Sequence, residues 1–404
     1  MSDLLSTNKR VVSGMRVSGS LHLGHYHGVL KNWEQLQHQY ECYFFAADWH
    51  GLTTHYDSPG KIESFMWEMI VDWLACGINP SLACTFIQSW VPEHAELHLL
   101  LSMITPLGWL ERVPSFKDQQ DKLKDKDLST YGFLGYPLLQ SADVLLYNGN
   151  FVPVGEDQVA HIELVREVAR RFNHIYGREP NFDTLAKEAL KKMGKKNSKL
   201  YTQLRTAFQQ DGCHESIETA RALVVTQPNL SISEKERLSA YIDGSGKVIL
   251  TEPQAMLAQH AKMPGLDGLK MSKSYHNTIT LREAPDVVEK KVLTMRTDPA
   301  RVKRSDPGNP EKCPVWEFHK IYSSTEVQQW AQQGCRTAGI GCVECKRHIV
   351  DGINQELKPI QIAIKELEAD MPAVKRVVAE GSERAREEAT KTLSSVREAM
   401  GIDY

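Results

Sequence analysis

The sequence has little net charge and no long apolar run. Its 404 residues include 48 Lys and Arg against 51 Asp and Glu, which leaves a formal net charge of −3. The longest apolar stretch, residues 97–110, is interrupted by a histidine, a proline and a glycine and is too short to span a bilayer. Residues 1–10 are polar apart from two leucines, so no secretory segment is expected and the prediction is a cytoplasmic protein with no membrane contact. These absences exclude a strongly basic protein that coats nucleic acid, but a nucleic-acid enzyme needs only a local basic face.

A disulfide framework is also not expected, because a cytoplasmic chain keeps its thiols reduced. Eight cysteines are nevertheless present. Four are scattered, mostly among apolar neighbours, and are predicted to be small core residues: Cys42, Cys76, Cys84 and Cys213. The other four lie in the last quarter of the chain, with 21, 6 and 2 residues between them: Cys313, Cys335, Cys342 and Cys345. Four soft ligands suit a [4Fe–4S] cluster or structural zinc, the spacing does not separate these two, and unmetallated cysteines are the third interpretation.

Apolar runs alternate with amphipathic stretches over the first 175 residues. Strands are predicted at 10–17, 42–47, 85–89 and 151–154, and helices at 24–38, 62–76, 133–147 and 156–172. This alternation predicts an α/β fold, a Rossmann-type doubly wound parallel sheet with an all-helical C-terminal domain. The α/β domain is expected over 1–285 and the helical domain over 286–404. Residues from about 195 to 245 are predicted to be an insertion of short helices, preceded by a lysine-rich stretch, 187–199, with no strong period.

A histidine pair follows the first predicted strand. His22 and His25 are three residues apart, with Gly24 between them, where a strand gives way to a helix. Imidazoles at this position can approach a phosphate, because the helix N-terminus favours anions and the glycine lets the ligand come close to the backbone. The alternative is a pair of surface histidines in a polar turn.

A lysine pair lies much later in the chain, in the segment 270–274. Lys270 and Lys273 are flanked by serines and follow a stretch that contains two glycines and a proline. Such a loop can close on a triphosphate or diphosphate, although a charged loop alone is also typical of solvated surface.

Together and in this order, the two motifs resemble the HIGH and KMSKS motifs of class I aminoacyl-tRNA synthetases. The segments 47–54, 88–94, 152–158 and 384–401 are similar to tryptophanyl-tRNA synthetases, and the resemblance extends over roughly 8–175 and 250–404. It leaves the insertion uncovered. Within it, Val17 stands where the family usually carries proline, which removes no polar group.

The resemblance implies a two-step reaction. The carboxylate of tryptophan attacks the α-phosphorus of ATP, which releases diphosphate, and the tryptophanyl group then moves from AMP to the terminal ribose of tRNA(Trp). Catalysis by positioning and charge stabilisation would come from His22, His25, Lys270 and Lys273, with Mg²⁺ bound chiefly by ATP. The resemblance assigns ATP binding to Arg16, Val17, Ser18, Gly24, His25, Gly155, Glu156, Asp157, Lys270, Met271, Ser272, Lys273 and Ser274.

The amino-acid pocket would form on the predicted helix 133–147. The resemblance assigns tryptophan binding to Tyr136, Gln140, Asp143 and Gln158. Asp143 matches the carboxylate that accepts the indole N–H, and Tyr136 and Gln158 match groups that hold the α-ammonium. A buried acceptor rejects phenylalanine, which would leave it unpaired. The alternative for Asp143 is a carboxylate on the helix surface, which its apolar neighbours oppose.

The resemblance also bears on the second half of the chain. Some members carry an iron–sulfur cluster on nearly this cysteine pattern, with a first interval one residue longer, so a [4Fe–4S] cluster is favoured over zinc at Cys313, Cys335, Cys342 and Cys345. Residues 286–404 would bind the anticodon of tRNA, and a homodimer is implied. Six basic residues would offer a stripe to RNA phosphates: Lys290, Lys291, Arg296, Arg301, Lys303 and Arg304. The lysines of the insertion could contact tRNA or form a solvated face.

Three other functions are compatible with parts of this pattern. A tyrosyl-tRNA synthetase shares the fold and both motifs, and the choice of amino acid separates the two. Another nucleotidyltransferase could use the histidine motif, but the lysine loop and the long helical domain argue against it. A non-catalytic RNA-binding relative would not need the intact histidine and lysine pairs.

Overall fold

The computed structural model describes residues 9–57, 59–113, 130–177, 181–244, 247–257 and 263–404. The chain packs into two compact units. Unit 1 comprises Met1–Trp90 and Met256–Glu383, and unit 2 comprises Val91–Ala255 and Arg384–Tyr404. Within the described ranges, no helix is both long enough and apolar enough to cross a membrane.

The strands confirm the predicted α/β class. They are β1 Arg10–Arg16, β2 Glu41–Ala47, β3 Ala83–Ile87, β4 Phe151–Val154 and β5 Gln254–Leu257. The sheet has the order β3-β2-β1-β4-β5. β1 and β3 both pair parallel to β2, with Val11 opposite Cys42 and Phe44 opposite Thr85. Parallel strands need long crossovers, and the helices between the strands provide them.

The α-helices of the described residues, in chain order, are α1 Leu23–His25, α2 Lys31–Leu36, α3 Asp48–His55, α4 Ile62–Ala75, α5 Glu93–Ser102, α6 Leu107–Glu111, α7 Tyr131–Leu145, α8 Val159–Tyr176, α9 Phe182–Lys192, α10 Gly194–Asp211, α11 His214–Val225, α12 Ile232–Asp243, α13 Pro285–Thr294, α14 Pro314–Tyr322, α15 Thr325–Arg336, α16 Cys342–Ala369 and α17 Met371–Met400. A π-helical turn spans Tyr26–Leu30, and 3-10 turns span Pro59–Lys61, Gln88–Trp90, Glu156–Gln158, Lys273–Tyr275 and Pro310–Lys312. The predicted helical C-terminal region is confirmed, although residues 295–309 form no helix.

An aromatic cluster supports the sheet of unit 1. Trp33 of α2 stacks on Phe44 of β2, with ring centroids 4.3 Å apart, and Trp73 of α4 meets Trp33 edge-on at 5.1 Å. All three side chains are fully or almost fully buried. Strands covered on both faces read as continuous apolar runs, which is why the sequence reveals β2 and β3 clearly. The core therefore holds the carboxyl ends of β1 and β2 side by side, with Arg16 opposite Ala47.

The first crossover is a helix of mixed type. One continuous helix was predicted over 24–38, but α1 gives way after His25 to the π-helical turn Tyr26–Leu30, and α2 follows. Side-chain periodicity does not report which carbonyl each N–H reaches, so the sequence does not distinguish this turn from an α-helix. Turns of this type are frequent at functional sites.

In unit 2, α7 packs against α5 and α8. Phe133, Leu138 and Val144 are among its buried side chains. Pro137 lies inside the helix, and the hydroxyl of Ser141 donates to its carbonyl over 2.9 Å. The last turns of α17 belong to this unit, where Arg397 donates to both carboxylate oxygens of Glu96 at 2.6 Å.

The helices α9 to α12 form a small bundle with its own core. Phe182, Tyr201 and Leu238 are among its buried side chains, so the cluster begins before residue 195, where the insertion was predicted to start. The stretch 187–199 is also more regular than its pattern suggests, because it is covered by α9 and α10 apart from Met193. Its lysines are exposed, and the buried side chains of Ala189, Leu190 and Met193 provide the packing.

Gly381 is expected to be required for the packing of α17 on β3. A Cβ at this position would lie 2.0 Å from the carbonyl oxygen of Thr85, which is backbone and cannot give way. Gly381→Ala should therefore lower the free energy of unfolding by about 1–3 kcal/mol. Gly132→Ala is the matched control, since a Cβ there meets nothing within 4 Å and alanine favours the helix. Urea denaturation of both variants checks this, and equal stabilities would contradict the packing argument.

Candidate active site

The histidine pair lies in unit 1, directly after the carboxyl end of β1. The rings of His22 and His25 are 3.8 Å apart between centroids and inclined by 32°. The backbone N–H of Gly24 donates to Nδ1 of His22 over 3.1 Å, and the backbone N–H of His22 donates to Nδ1 of His25 over 3.3 Å. Since both Nδ1 atoms are acceptors, each neutral ring carries its proton on Nε2. Both imidazoles are therefore arranged as N–H donors.

Burial keeps this pair uncharged. It lowers the pKa of His22 to about 4, with the charge of Lys273 as a smaller cause, and it lowers the pKa of His25 well below its usual range. For His25 the further causes are the charges of His22, Lys273 and Lys270. Both members of the lysine pair are thus within electrostatic reach of the histidine pair.

Gly24 is required where it stands. A Cβ on it would lie 2.9 Å from the ring of His22 and 3.3 Å from the Cβ of Met271. The glycine therefore allows the histidine motif and the lysine loop to approach each other closely.

Backbone hydrogen bonds connect the histidine motif to the segment that follows the lysine loop. The N–H of Leu23 donates to the carbonyl of Ile279, and the N–H of Leu281 donates to the carbonyl of Leu21, each over 3.0 Å. His22 and Thr280 form an antiparallel bridge between these two bonds. Two motifs that are far apart in the sequence are thereby brought together in the fold.

Lys273 extends toward the loop after β1. Its Nζ donates to the carbonyl of Ser18 over 2.9 Å, and it lies 3.4 Å from the position of a Cβ on Gly19, which has φ +97°. Partial burial lowers the pKa of Lys273 to about 8, against the opposing charges of Glu68 and Asp72. A cation held over this turn is well placed to meet an anion there.

Asn277 is a site residue that the sequence analysis did not find. Its amide donates to Oδ1 of Asp267 and to the carbonyl of Lys270, and its Oδ1 accepts from the N–H of Ser272 over 2.8 Å. The side chain is 3% exposed. It holds the lysine loop in its observed conformation, and a lone asparagine after the loop gave no signal of this role.

The remaining residues assigned to ATP binding are divided between the two units. In unit 1, Arg16 donates to the hydroxyl of Thr54, Val17 and Met271 are buried, Ser18 is exposed, and Ser274 lies in a 3-10 turn. In unit 2, Gly155 precedes the 3-10 turn that contains Glu156, Asp157 and Gln158. Glu156 is exposed and Gln158 half-buried.

Asp143 is buried on α7 in unit 2. It is 1% exposed, and its Oδ1 lies 2.7 Å from Nδ1 of His94. Nε2 of the same imidazole lies 2.7 Å from the hydroxyl of Tyr147, and both partners are fully buried. The prediction that Asp143 is not a surface carboxylate is confirmed. His94 and Tyr147 were missed, because a histidine between two glutamates gives no signal of a buried partner 49 residues later.

Tyr136 and Gln140 lie on the same helix. Nδ1 of His161 is 2.8 Å from Oε1 of Gln140, and the ring of His161 is 5.9 Å from that of Tyr136. His161 is 3% exposed, whereas Tyr136 and Gln140 are half-buried. His161 is a further residue that the sequence did not single out, and its ring contacts two of the assigned side chains.

The four late cysteines lie in unit 1. The pKa of the Cys345 thiol is raised to about 12, first by burial and then by the charges of Cys313, Cys335 and Cys342, so these three sulfurs are within electrostatic reach of Cys345. Among the described residues, however, no three His, Cys, Asp or Glu side chains are arranged to hold a metal ion. Four thiols are the type of donor that a soft metal centre needs, but their side chains are not arranged around a common metal position.

The proposed RNA stripe needs a correction at Arg301. This guanidinium is 9% exposed, donates to the carbonyls of Ile340 and Arg304, and lies 3.9 Å from the sulfur of Cys335. It is a structural group beside the thiols, because a buried arginine needs acceptors that only protein can provide. Lys291 is half-buried and paired with Glu283 at 2.5 Å. Four members of the stripe are exposed: Lys290, Arg296, Lys303 and Arg304.

Comparison with known proteins agrees with the resemblance in the sequence. The family model described as "tRNA synthetases class I (W and Y)" matches residues 6–241 and 232–358. A tryptophan–tRNA ligase of Ralstonia nicotianae is 59% identical over 396 residues, with 98% of this chain and 99% of the relative covered. One from Thermotoga maritima is 42% identical over 397 residues, with 98% and 100% covered.

Among solved structures, the tryptophanyl-tRNA synthetase of Campylobacter jejuni complexed with ADP and tryptophan is 25% identical, with a TM-score of 0.72. The match covers 97% of this chain and 99% of that one. These relatives are similar along nearly their whole length. The chain belongs to the class I aminoacyl-tRNA synthetases, in the family of the tryptophan–tRNA ligases.

Proposed function

We propose that this chain is a ligase that joins tryptophan to tRNA(Trp) in the cytoplasm. It activates L-tryptophan with ATP to tryptophanyl-AMP and diphosphate, and it then transfers the tryptophanyl group to the tRNA. The activation step is supported by the position of Lys273 in unit 1, where its charge acts on both rings of the histidine pair. The choice of amino acid is supported by the relatives and by the buried Asp143.

In the activation step, the phosphates of ATP are held by two kinds of side chain, charged lysines and neutral histidines. Lys270 and Lys273 supply positive charge to the departing β- and γ-phosphates, and Mg²⁺ arrives with ATP. The neutral imidazoles of His22 and His25 donate their Nε2 protons to phosphate oxygens, which positions the α-phosphorus for in-line attack. Gly24 lets the nucleotide approach the backbone. Arg16, Val17 and Ser18 of unit 1 line the nucleotide, as the resemblance implies.

Tryptophan is recognised on α7. Asp143 accepts the indole N–H, and an amino acid without this donor loses one charge-assisted hydrogen bond to a buried carboxylate. Tyr136 and Gln158 hold the α-ammonium, and Gln140 borders the same pocket, where His161 fixes its amide.

The tRNA is the second substrate and the macromolecular partner. Its terminal ribose accepts the tryptophanyl group, in this class usually on the 2′-hydroxyl. The region 286–404 reads the anticodon, with phosphate contacts from the exposed basic residues of the stripe. The active form is a homodimer, as the resemblance implies.

We further propose a [4Fe–4S] cluster on Cys313, Cys335, Cys342 and Cys345. The support is the set of four soft donors within electrostatic reach, together with two nitrogen groups that face them: Nε2 of His319 is 3.0 Å from the sulfur of Cys345, and Arg301 faces Cys335. When bound, the cluster would connect the segments of the helical region that carry the four cysteines, and it would take no part in the reaction. Anaerobic purification followed by visible absorbance and metal analysis tests this, and zinc or the lack of any metal would contradict it.

The charge of Lys273 makes ATP use dependent on pH. Because its pKa is lowered to about 8 in the protein without nucleotide, deprotonation above that pH removes the cation before ATP binds. The kcat/KM for ATP should therefore fall by about tenfold per pH unit above this pKa, since this parameter reports the free enzyme. Lys273→Arg keeps its charge and should lack this limb. If kcat/KM for ATP fell with pH in the arginine variant as it does in the wild type, the titrating group would not be Lys273.

Charging of tRNA tests the proposed function. The purified chain is incubated with ATP, Mg²⁺, radiolabelled tryptophan or tyrosine, and tRNA(Trp) or tRNA(Tyr). Tryptophan on tRNA(Trp) alone is the expected product. Charging with tyrosine would identify a tyrosyl-tRNA synthetase, and no charging of any tRNA would favour another nucleotidyltransferase.

A further inference from the structure

A buried chain of three polar side chains crosses from α5 to α7 in unit 2. The carboxylate of Asp143 contacts the imidazole of His94, which contacts the hydroxyl of Tyr147, each over 2.7 Å. His94 and Tyr147 are 0% exposed and Asp143 is 1% exposed. Polar groups buried this deeply cost stability unless their hydrogen bonds are made, so the chain must work as a unit.

The hydrogen bonds of this chain have one consistent set of directions when Asp143 is ionised and His94 is neutral. An ionised carboxylate only accepts, so the hydrogen between Oδ1 of Asp143 and Nδ1 of His94 is on the imidazole. In the neutral ring Nε2 is then an acceptor, and the hydroxyl of Tyr147 donates to it. The ring is thus held at both ends, in one tautomer and one orientation.

This arrangement determines what Asp143 can do for a substrate. A carboxylate has about four lone-pair sites, so it can accept a second N–H while Oδ1 stays bonded to His94. The imidazole fixes the plane of the carboxylate and favours its ionised form by donating to it. Without that donor, a buried aspartate rotates or takes up a proton, and a protonated carboxyl no longer demands a donor from its ligand.

We infer that His94 is a positioning residue for amino-acid selection: it holds Asp143 as an ionised, fixed acceptor for the ring N–H of tryptophan, and Tyr147 sets the tautomer of His94. This inference rests on the proposed function and on the assignment of Asp143 as the indole acceptor. It adds two residues, one of them on α5, to the group that determines specificity. Neither touches the substrate in this account, so both act through Asp143.

The test compares tryptophan with its isostere in which the ring N–H is replaced by sulfur, β-(benzothiophen-3-yl)alanine. The ratio of the two kcat/KM values in ATP–pyrophosphate exchange measures how strongly the site demands the N–H. His94→Leu removes both contacts of the imidazole and should lower this ratio by about tenfold or more, since the site loses its fixed acceptor. His94→Asn, whose amide can donate from a position close to that of Nδ1, should retain most of the ratio.

Tyr147→Phe serves as a second, milder variant if His94→Leu does not fold. It removes only the hydroxyl that faces Nε2, and a several-fold decrease of the ratio is expected. An unchanged ratio in a folded variant would overturn the inference. If both kcat/KM values fell equally, His94 and Tyr147 would only stabilise the packing of α5 on α7.

The wild-type protein separates failure of the inference from failure of the proposed function. If it does not exchange pyrophosphate with tryptophan, the proposed function is wrong. If it does so but accepts the sulfur isostere equally well, the ligase function stands, and Asp143 and His94 do not read the ring N–H.

Discussion

Replacing Lys273 by alanine is expected to slow tryptophan-dependent ATP–pyrophosphate exchange by about 10²- to 10³-fold, the usual effect of removing one positioned group that stabilises transition-state charge. The side chain reaches the turn after β1, where it donates to Ser18, and its charge lowers the pKa of both histidines of the pair. It is therefore placed where the negative charge of the departing diphosphate develops.

Lys365→Ala is the matched control for this experiment. Lys365 is exposed on α16 and has no assigned role, so the exchange rate of this variant should match that of the wild type. The loss in Lys273→Ala should appear mainly in kcat, because the contact strengthens as the diphosphate leaves. A decrease of less than threefold, with the fold intact by circular dichroism, would remove Lys273 from the catalytic group.

Replacing Asp143 by asparagine is expected to lower kcat/KM for tryptophan by about 10²-fold or more, because the charged acceptor is lost and the amide N–H groups compete for the same space. The KM for ATP should change by less than about twofold, since Asp143 belongs to amino-acid recognition. The burial of the residue makes the effect large, because no solvent can replace the lost hydrogen bond.

Steady-state kinetics with tryptophan and ATP varied in turn measures both effects. Glu188→Gln is the matched control: it changes an exposed carboxylate of unit 2 that has no assigned role, and it should leave the KM values for tryptophan and ATP unaltered. Parallel losses for tryptophan and ATP in Asp143→Asn would show that the carboxylate supports the fold and not the indole.

Much of the fold follows from the sequence because buried parallel strands are continuous apolar runs. β1, β2 and β3 were predicted within about two residues of their observed bounds, and α4 within one. The π-helical turn Tyr26–Leu30 was not predicted, because it depends on hydrogen bonds that leave no trace in side-chain periodicity. The segment 195–245, predicted to be an insertion, falls within the bundle of α9 to α12, whose buried core begins at Phe182.

The motifs of the candidate site were easier to find than the groups that hold them. His22, Lys273 and Asp143 belong to recognisable patterns, and each has a chemistry that a phosphate or an indole would need. His94 and Asn277 act through hydrogen bonds to residues that are distant in sequence or elsewhere in the lysine loop, and one sequence does not reveal such partners. Arg301 shows the reverse error, since a basic residue in a basic stretch was assigned to RNA although it is buried. The functional division at residue 285 stays a prediction.

Amino-acid-dependent ATP–pyrophosphate exchange measures directly whether this chain activates tryptophan. The reaction needs no tRNA, so it isolates the histidine pair, the lysine loop and the Asp143 pocket from everything that concerns anticodon recognition. With each of the twenty amino acids supplied singly, we expect rapid exchange with tryptophan and none above background with tyrosine or phenylalanine. Exchange that depends on tyrosine, or no exchange with any amino acid by a folded and metal-replete protein, would show that this chain does not activate tryptophan.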